Sequence, residues 1–256
     1  MSLKRLIKNR YSVILFTVLG IGLVLLIWWI ISLCTVESLF PAPGAVFIRF
    51  GELFIKASTY EAIGGTLLRL IISLSISFVL SLILGIFAGL NKSIYQTLNP
   101  LIIVLRTLPV AAIIFILIVL LKPANALFII SGLTMFPLMY QSIASGIQNI
   151  DSNVMDSLRL ECSAYHPKAL IRVIIPSAKE NIILGFIQAL GLGMKVSLMA
   201  ETLVGTDRIK GLGRMIYQGY IDLDMPQVFA SALYAIILIG LIDIILHNIK
   251  KIYKTK

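Results

Sequence analysis

Charge is scarce in this sequence. Only 13% of its 256 residues are Asp, Glu, Lys or Arg, against about 25% in an average soluble domain. Two histidines, His166 and His247, and two cysteines, Cys34 and Cys162, complete the short supply of ligand-forming side chains. Neither histidine has a cysteine or carboxylate at metal-ligand spacing, which argues against a metal centre. Two distant cysteines make no disulfide framework. No G-x-x-x-x-G-K-S/T run occurs, so any ATP hydrolysis belongs to another chain. A membrane-embedded enzyme would need clustered His, Asp or Glu, and no such cluster is visible. Internal repeats and low-complexity tracts are also missing.

Apolar side chains take the place of what is missing. Hydrophobic residues make up 59% of the chain and the mean hydropathy is +0.99, too apolar for water. A membrane span needs about 20 mostly apolar residues. Six runs qualify: Val13 to Leu33, Thr66 to Leu90, Leu101 to Leu121 with Pro109 inside it, Ala126 to about Ala144, Ile182 to Val204, and Val228 to Leu246. The first is too long for a signal peptide and carries Trp28 and Trp29 as an interfacial anchor. The expected fold is therefore all-α: a polytopic membrane protein with about six transmembrane helices.

The net charge is +10, and its placement fixes an orientation. With the N-terminus inside, the inner segments hold Lys4, Arg5, Lys8, Arg10, Lys92, Arg159, Lys168, Arg172, Lys179, Lys250, Lys251, Lys254 and Lys256, thirteen in all. The outer segments hold six: Arg49, Lys56, Lys122, Arg208, Lys210 and Arg214. This bias predicts both termini on the cytoplasmic side of the membrane. Because each basic cluster borders an apolar run, it reads as flanking charge against the lipid bilayer and not as a nucleic-acid patch.

Two polar stretches stand out. Residues 34–62 form an outer segment with the turn Pro41-Ala42-Pro43-Gly44 and an amphipathic piece around Val46–Ile55. Together with the first span they make an N-terminal unit, 1–62, ahead of a core unit, 63–256. Residues 147–180 form the longest inner loop, longer than a simple connection requires. Asp151 and Ser152 cap a short helix through Leu160, Pro167 starts another, and Pro176 marks the start of the fifth span.

This loop carries a resemblance. Arg172-Val-Ile-Ile-Pro176 matches the tail of the E-A-A…Gly…Pro loop motif of the permease subunits of binding-protein-dependent ABC importers. Ser163, thirteen residues before the proline, stands at the Gly position, and Ser157-Leu158-Arg159 stands where the family has E-A-A. Phe40-Pro-Ala-Pro43, Thr66-Leu-Leu-Arg69, Gly85-Ile-Phe-Ala-Gly89, Leu105-Arg-Thr-Leu-Pro109, Ala189-Leu-Gly191 with Met199-Ala-Glu201, and Gly211-Leu-Gly213 follow in the order of the sulfonate, taurine and nitrate branch. The resemblance implies an ABC type I importer permease fold. It also implies a second permease copy, cytoplasmic ATPase subunits that carry ATP and Mg, and an external substrate-binding protein. This chain itself then holds no cofactor. The short helix around 154–163 would be the coupling element, contributed by Asp156, Ser157, Leu158, Arg159, Leu160, Ser163 and Ala164. A secondary transporter or channel is the alternative, and it would call for inverted repeats or paired intramembrane acids.

Charges within apolar runs cost about 2.5–3.5 kcal/mol each at the bilayer centre, so each needs a reason. Arg69 lies near an end of its span and can snorkel. Arg106 sits three residues before Pro109, where irregular backbone can line a cavity; a pathway role and a buried structural pair both fit it. Lys195 lies near mid-membrane on one helix face with Gln188, Gly191 and Met199. It would meet either an anionic solute or a carboxylate such as Glu201 across the dimer. Asp243 is expected to pair internally. The candidate translocation pathway is thus Arg106, Pro109, Gln188, Lys195, Met199 and Glu201; Arg106 and Lys195 suggest an anion, and the resemblance implies a small solute that is anionic or vitamin-precursor-like.

Overall fold

The computed structural model describes residues 3–36, 39–206 and 209–254, with side chains described between residues 15 and 246 and at residue 248. Arg208 and Lys256, both used in the charge count, lie outside the described residues, as do the side chains of the basic residues at either end. The described residues form helices and connecting turns. In chain order these are α1 (Leu3–Cys34), α2 (Pro43–Ile55), α3 (Ala57–Leu90), α4 (Lys92–Thr107), α5 (Val110–Leu120), α6 (Pro123–Gln148), α7 (Ser152–Glu161), α8 (Pro167–Ala169), a π-turn (Leu170–Ile174), α9 (Ile175–Val204), α10 (Leu212–Ile221) and α11 (Met225–Lys254). Five helical segments are long and apolar enough to cross a membrane, and a sixth span exists if the bent pair α4–α5 is counted as one.

The central layer is α3, α6 and α9. Ser73, Ser77 and Ser81, spaced one turn apart on α3, donate to the carbonyls of Phe128, Gly132 and Phe136 at 3.0 Å each. The constant offset of 55 residues shows that α3 and α6 run parallel. Such side-chain bonds hold helices together where no hydrophobic force between helices operates. α9 runs antiparallel to α6, and glycine permits the approach: a Cβ on Gly185 would lie 2.5 Å from the Cβ of Ser142, and one on Gly193 would lie 2.3 Å from the Sδ of Met135. Small residues at such seams let backbones close in. Gly185→Val is accordingly expected to wedge α6 from α9 and destabilise the chain by about 1–3 kcal/mol, the usual cost of overpacking. Thermal melting in detergent checks this, with Gly20→Val as the control, since nothing lies within 4 Å of that position.

Because α3 and α6 are parallel, the chain between them must return across the bundle. The sequence suggests a single run from Leu101 to Leu121 for this return; the structure corrects it. The return begins earlier, at Lys92, where the Asn91 side chain accepts from Ser93 N at 2.9 Å and from Ile94 N at 3.4 Å. It then bends by 94° between Thr107 and Val110. Pro109 explains the bend: it holds Leu108 in extended backbone (φ −61°, ψ 130°) and restarts the helix as the N-cap of α5.

Two further differences concern boundaries. α3 starts at Ala57, so the expected division after residue 62 falls inside a continuous helix. Pro167 starts α8 and Pro176 stands in the first turn of α9, as expected, but the two helices are not separate: they run on as one segment, Pro167–Val204. The π-turn joins α8 to α9, one inserted residue accommodating the missing N–H of Pro176. α2 packs on α11 through Arg49, which donates to Asp224 and to Gln227 Oε1 (2.9 Å), and through Phe50, stacked on Tyr234 at 4.1 Å. The Arg49 guanidinium is held above its ordinary pKa by its hydrogen bond to Glu52, with burial opposing and the Asp224 charge reinforcing. α1 touches the rest through Trp28, whose Nε1 donates to Pro41 O at 3.1 Å and whose ring stacks on Phe229.

Candidate functional site

The residues singled out in the sequence fall into three places. The first is α7, which stands at the end of the bundle where α3 and α6 finish. Asp151 caps it by accepting from Asn153 N at 2.7 Å, so the helix starts where the sequence places it. The seven residues expected to act together do not share one role. Leu158 is buried at 7% exposure in a cluster with Ile143, Ile147, Ala169, Ile174 and Ala178, which belong to α6, α8, the π-turn and α9. Leu160, two residues on, is 90% exposed. Asp156 and Arg159 are exposed and pair with each other at 3.4 Å, while Ser157 Oγ donates back to Asn153 O at 2.7 Å. Beside α7 lies a cavity of about 390 Å³, lined by Lys92, Tyr95, Gln148, Met155 and Arg159 among others. Leu158 is the buried residue of α7, with Met155 half-buried beside it.

The turn after α7 shows how serine replaces the expected glycine. Ser163 is not in the left-handed region; among the described non-glycine residues only Leu223 is. Its Oγ accepts from Tyr165 N at 3.3 Å and its carbonyl accepts from His166 N at 2.9 Å. A hydroxyl-supported turn of this kind does without φ > 0. Ala164 packs half-buried on the Leu158 cluster.

The second place is the open face of α9. Gln188, Lys195 and Met199 are all exposed on it, while Ala189, Gly193, Met194, Val196, Ser197 and Ala200 face inward. Lys195 forms no ion pair with a described residue. Arg106 and Pro109 sit apart from this stripe, both exposed at the α4–α5 bend, where Arg106 donates to Gln141 Oε1 on α6. A cation in the last turn of α4 also suits the helix dipole. α5 packs on α9 through Ile114 against Val196 and Ala200, which sets the bend beside the helix that carries the stripe.

The third place was not anticipated. Glu201 does not lie on the stripe and does not face Lys195; it is 1% exposed and fully bonded. Its Oε1 accepts from Arg69 Nη2 at 2.6 Å and Nε at 3.1 Å, and its Oε2 accepts from Thr66 Oγ1 at 2.8 Å and Gly213 N at 3.0 Å. Thr66 Oγ1 accepts in turn from Leu212 N (3.0 Å), and Arg69 Nη2 also donates to Lys210 O (2.6 Å). Gly211 and Gly213 are required by space: a Cβ would come within 2.4 Å of Glu201 Oε2 at the first, and within 2.3 Å of Leu198 O at the second. Arg69 thus has a buried partner where snorkelling was expected. Thr66 and Arg69, three apart on one helix face, with the Gly211-x-Gly213 spacing, are the signals that mark this cluster. Asp243, expected to pair internally, is exposed and forms no ion pair with a described residue.

Known proteins resemble this chain in sequence and in fold. A family profile described as "binding-protein-dependent transport system inner membrane component" matches residues 81–255. The chain is similar to an aliphatic sulfonates transport permease protein, SsuC, of Bacillus subtilis (27% identical over 214 residues, covering 82% of this chain and 76% of the relative). It is similar to a nitrate import permease protein, NrtB, of Synechocystis (27% over 244 residues; 90% and 84%). It is also similar to the taurine transport system permease protein TauC of Escherichia coli (23% over 258 residues; 96% and 92%). Among solved structures, the inward-facing MetNI methionine ABC transporter matches with a TM-score of 0.65 at 19% identity, covering 76% of this chain and 95% of that one, which shows the fold. With more than half of its length inside the family profile, the chain belongs to the inner-membrane components of binding-protein-dependent transport systems, as a multi-pass permease.

Proposed function

We propose that this chain is the permease subunit of an ATP-driven ABC importer, working as a pair of permease copies with two cytoplasmic ATPase subunits and an external binding protein. The observation that carries this is α7. A polar helix presents Leu160 at 90% exposure while Leu158 locks it to α6, the π-turn and α9. A polar helix seated at the end of the bundle on one buried leucine suits a role in passing a rigid-body motion from a protein partner. ATP and Mg are held by that partner. Closure of the ATPase pair pushes α7 as a rigid element, and the Leu158 cluster passes the push to α9, which carries Gln188, Lys195 and Met199 on its open face. In this reading the α7 end is cytoplasmic with both termini, as the basic-residue bias supports. Arg106 and Pro109 at the bend and the α9 stripe line the path, while Glu201 holds structure.

The solute is small and anionic or vitamin-precursor-like. The relatives named for sulfonates, nitrate and taurine support an anion. Affinity purification of the tagged chain from its native membrane tests the reading. Co-purification of an ABC ATPase and a binding protein is expected. Recovery of the chain alone, active in uptake without ATP, would replace this reading with a secondary transporter or channel.

A further inference from the structure

Two opposite charges inside the apolar spans lack an ion-pair partner among the described residues: Lys195 on α9 and Asp243 on α11. Ionisable groups at membrane depth are costly, and as a rule they pair with one another or face a polar cavity. These two lie on helices that pack together, and Gly191 relates them. A Cβ placed on Gly191 would be 4.0 Å from Asp243 Oδ1, so the Asp243 carboxylate sits over the Gly191 position of α9. Lys195 is four residues further along the same helix, one turn toward the C-terminus. Helical side chains lean toward the N-terminus and cover the turn before their own Cα. The patch that Lys195 covers is therefore the Gly191 patch. Glycine there leaves the space above the backbone clear for an ammonium to reach a carboxylate.

We propose that Lys195 and Asp243 are counter-ions across the seam between α9 and α11, a pair of positioning residues that fixes the rotation of the α9 open face against α11. The pair is open in this structure. Its consequence is that Lys195 holds its depth without a bound anion, and the stripe it shares with Gln188 and Met199 is polar without being net positive. Gly191 is then the residue that keeps the reach open.

Two measurements on the full-length chain in membranes test this, and neither involves an ATPase, so they are independent of the proposed function. The first is Lys195→Cys with Asp243→Cys, in a background where Cys34 and Cys162 are replaced by serine. A short thiol-to-thiol cross-linker should join the two positions within one chain. The second is the folded fraction that survives a fixed heating step. Lys195→Met and Asp243→Asn should each lower it about fivefold, while the double neutralisation and the exchange Lys195→Asp/Asp243→Lys should return it to within about twofold of wild type, as coupled neighbours do. Lys195→Arg should retain it. Rescue by exchange is a readout that simple packing does not produce. Failure to cross-link, or an exchange no better than the worse single variant, overturns the pair.

Discussion

Replacing Glu201 with alanine is expected to remove the folded permease from the membrane. Four hydrogen bonds converge on a carboxylate with no exposed side-chain surface, and they join three helices: α3 donates through Thr66 and Arg69, the first turn of α10 through Gly213 N, and α9 accepts through Glu201. Truncation leaves the Arg69 guanidinium, 13% exposed, without its counter-charge. Breaking a buried pair from one side costs about 3–5 kcal/mol, because the remaining charge is uncompensated. That is a large part of the 5–15 kcal/mol or so by which a typical domain is stable. Glu201→Gln should fall between, since its amide oxygen accepts from Arg69 while its NH2 meets the Thr66 and Gly213 donors head-on. Arg69→Met should resemble Glu201→Ala. Membrane abundance and the melting temperature of the purified chain report the order. A Glu201→Ala protein as abundant and stable as wild type would show that the cluster contributes nothing.

The contrast between Glu201 and the apolar runs shows where sequence reasoning stops. Spans are legible because the bilayer imposes one length and one composition on any helix that crosses it, so α3, α6, α9 and α11 are each found. α3 nonetheless starts at Ala57 and not Thr66, α9 at Ile175 and not Ile182, and α11 runs on past Leu246 to Lys254. Capping is local, and Asp151 marks the start of α7 correctly for that reason. Pro109 was visible, yet its effect was not. Proline is tolerated inside membrane helices when neighbours satisfy the freed carbonyl, and only the parallel packing of α3 and α6 shows that the chain here turns by 94°. The Arg69–Glu201 pair joins residues 132 positions apart, and no local pattern encodes such a distance. The serines at 73, 77 and 81 do share a helix face in sequence. Their acceptors are backbone carbonyls, which any residue provides, so the ladder leaves no trace on the α6 side.

The sharpest separation of roles is expected within α7, between two leucines two residues apart. Leu160→Asp should abolish retention of the ATPase, by at least about tenfold in co-purified partner, as hot-spot truncations at interfaces do. It should leave the melting temperature of the permease unchanged, because a side chain 90% exposed has no intramolecular packing to lose. Leu158→Ala should do the reverse in part. Deleting a leucine at 7% exposure from the cluster with Ile147 and Ile174 costs about 2–5 kcal/mol of local stability, so α7 still presents Leu160 but from a loosened mount. ATPase binding then persists at reduced strength while ATP hydrolysis loses its link to solute movement. A helix that binds without a rigid anchor absorbs the stroke instead of passing it to α9. Co-purification, melting temperature and ATP-dependent uptake, measured on both variants, separate binding from transmission. Should Leu160→Asp keep its ATPase at the wild-type level, α7 is not the docking surface, and the exposed leucine must be assigned to another contact.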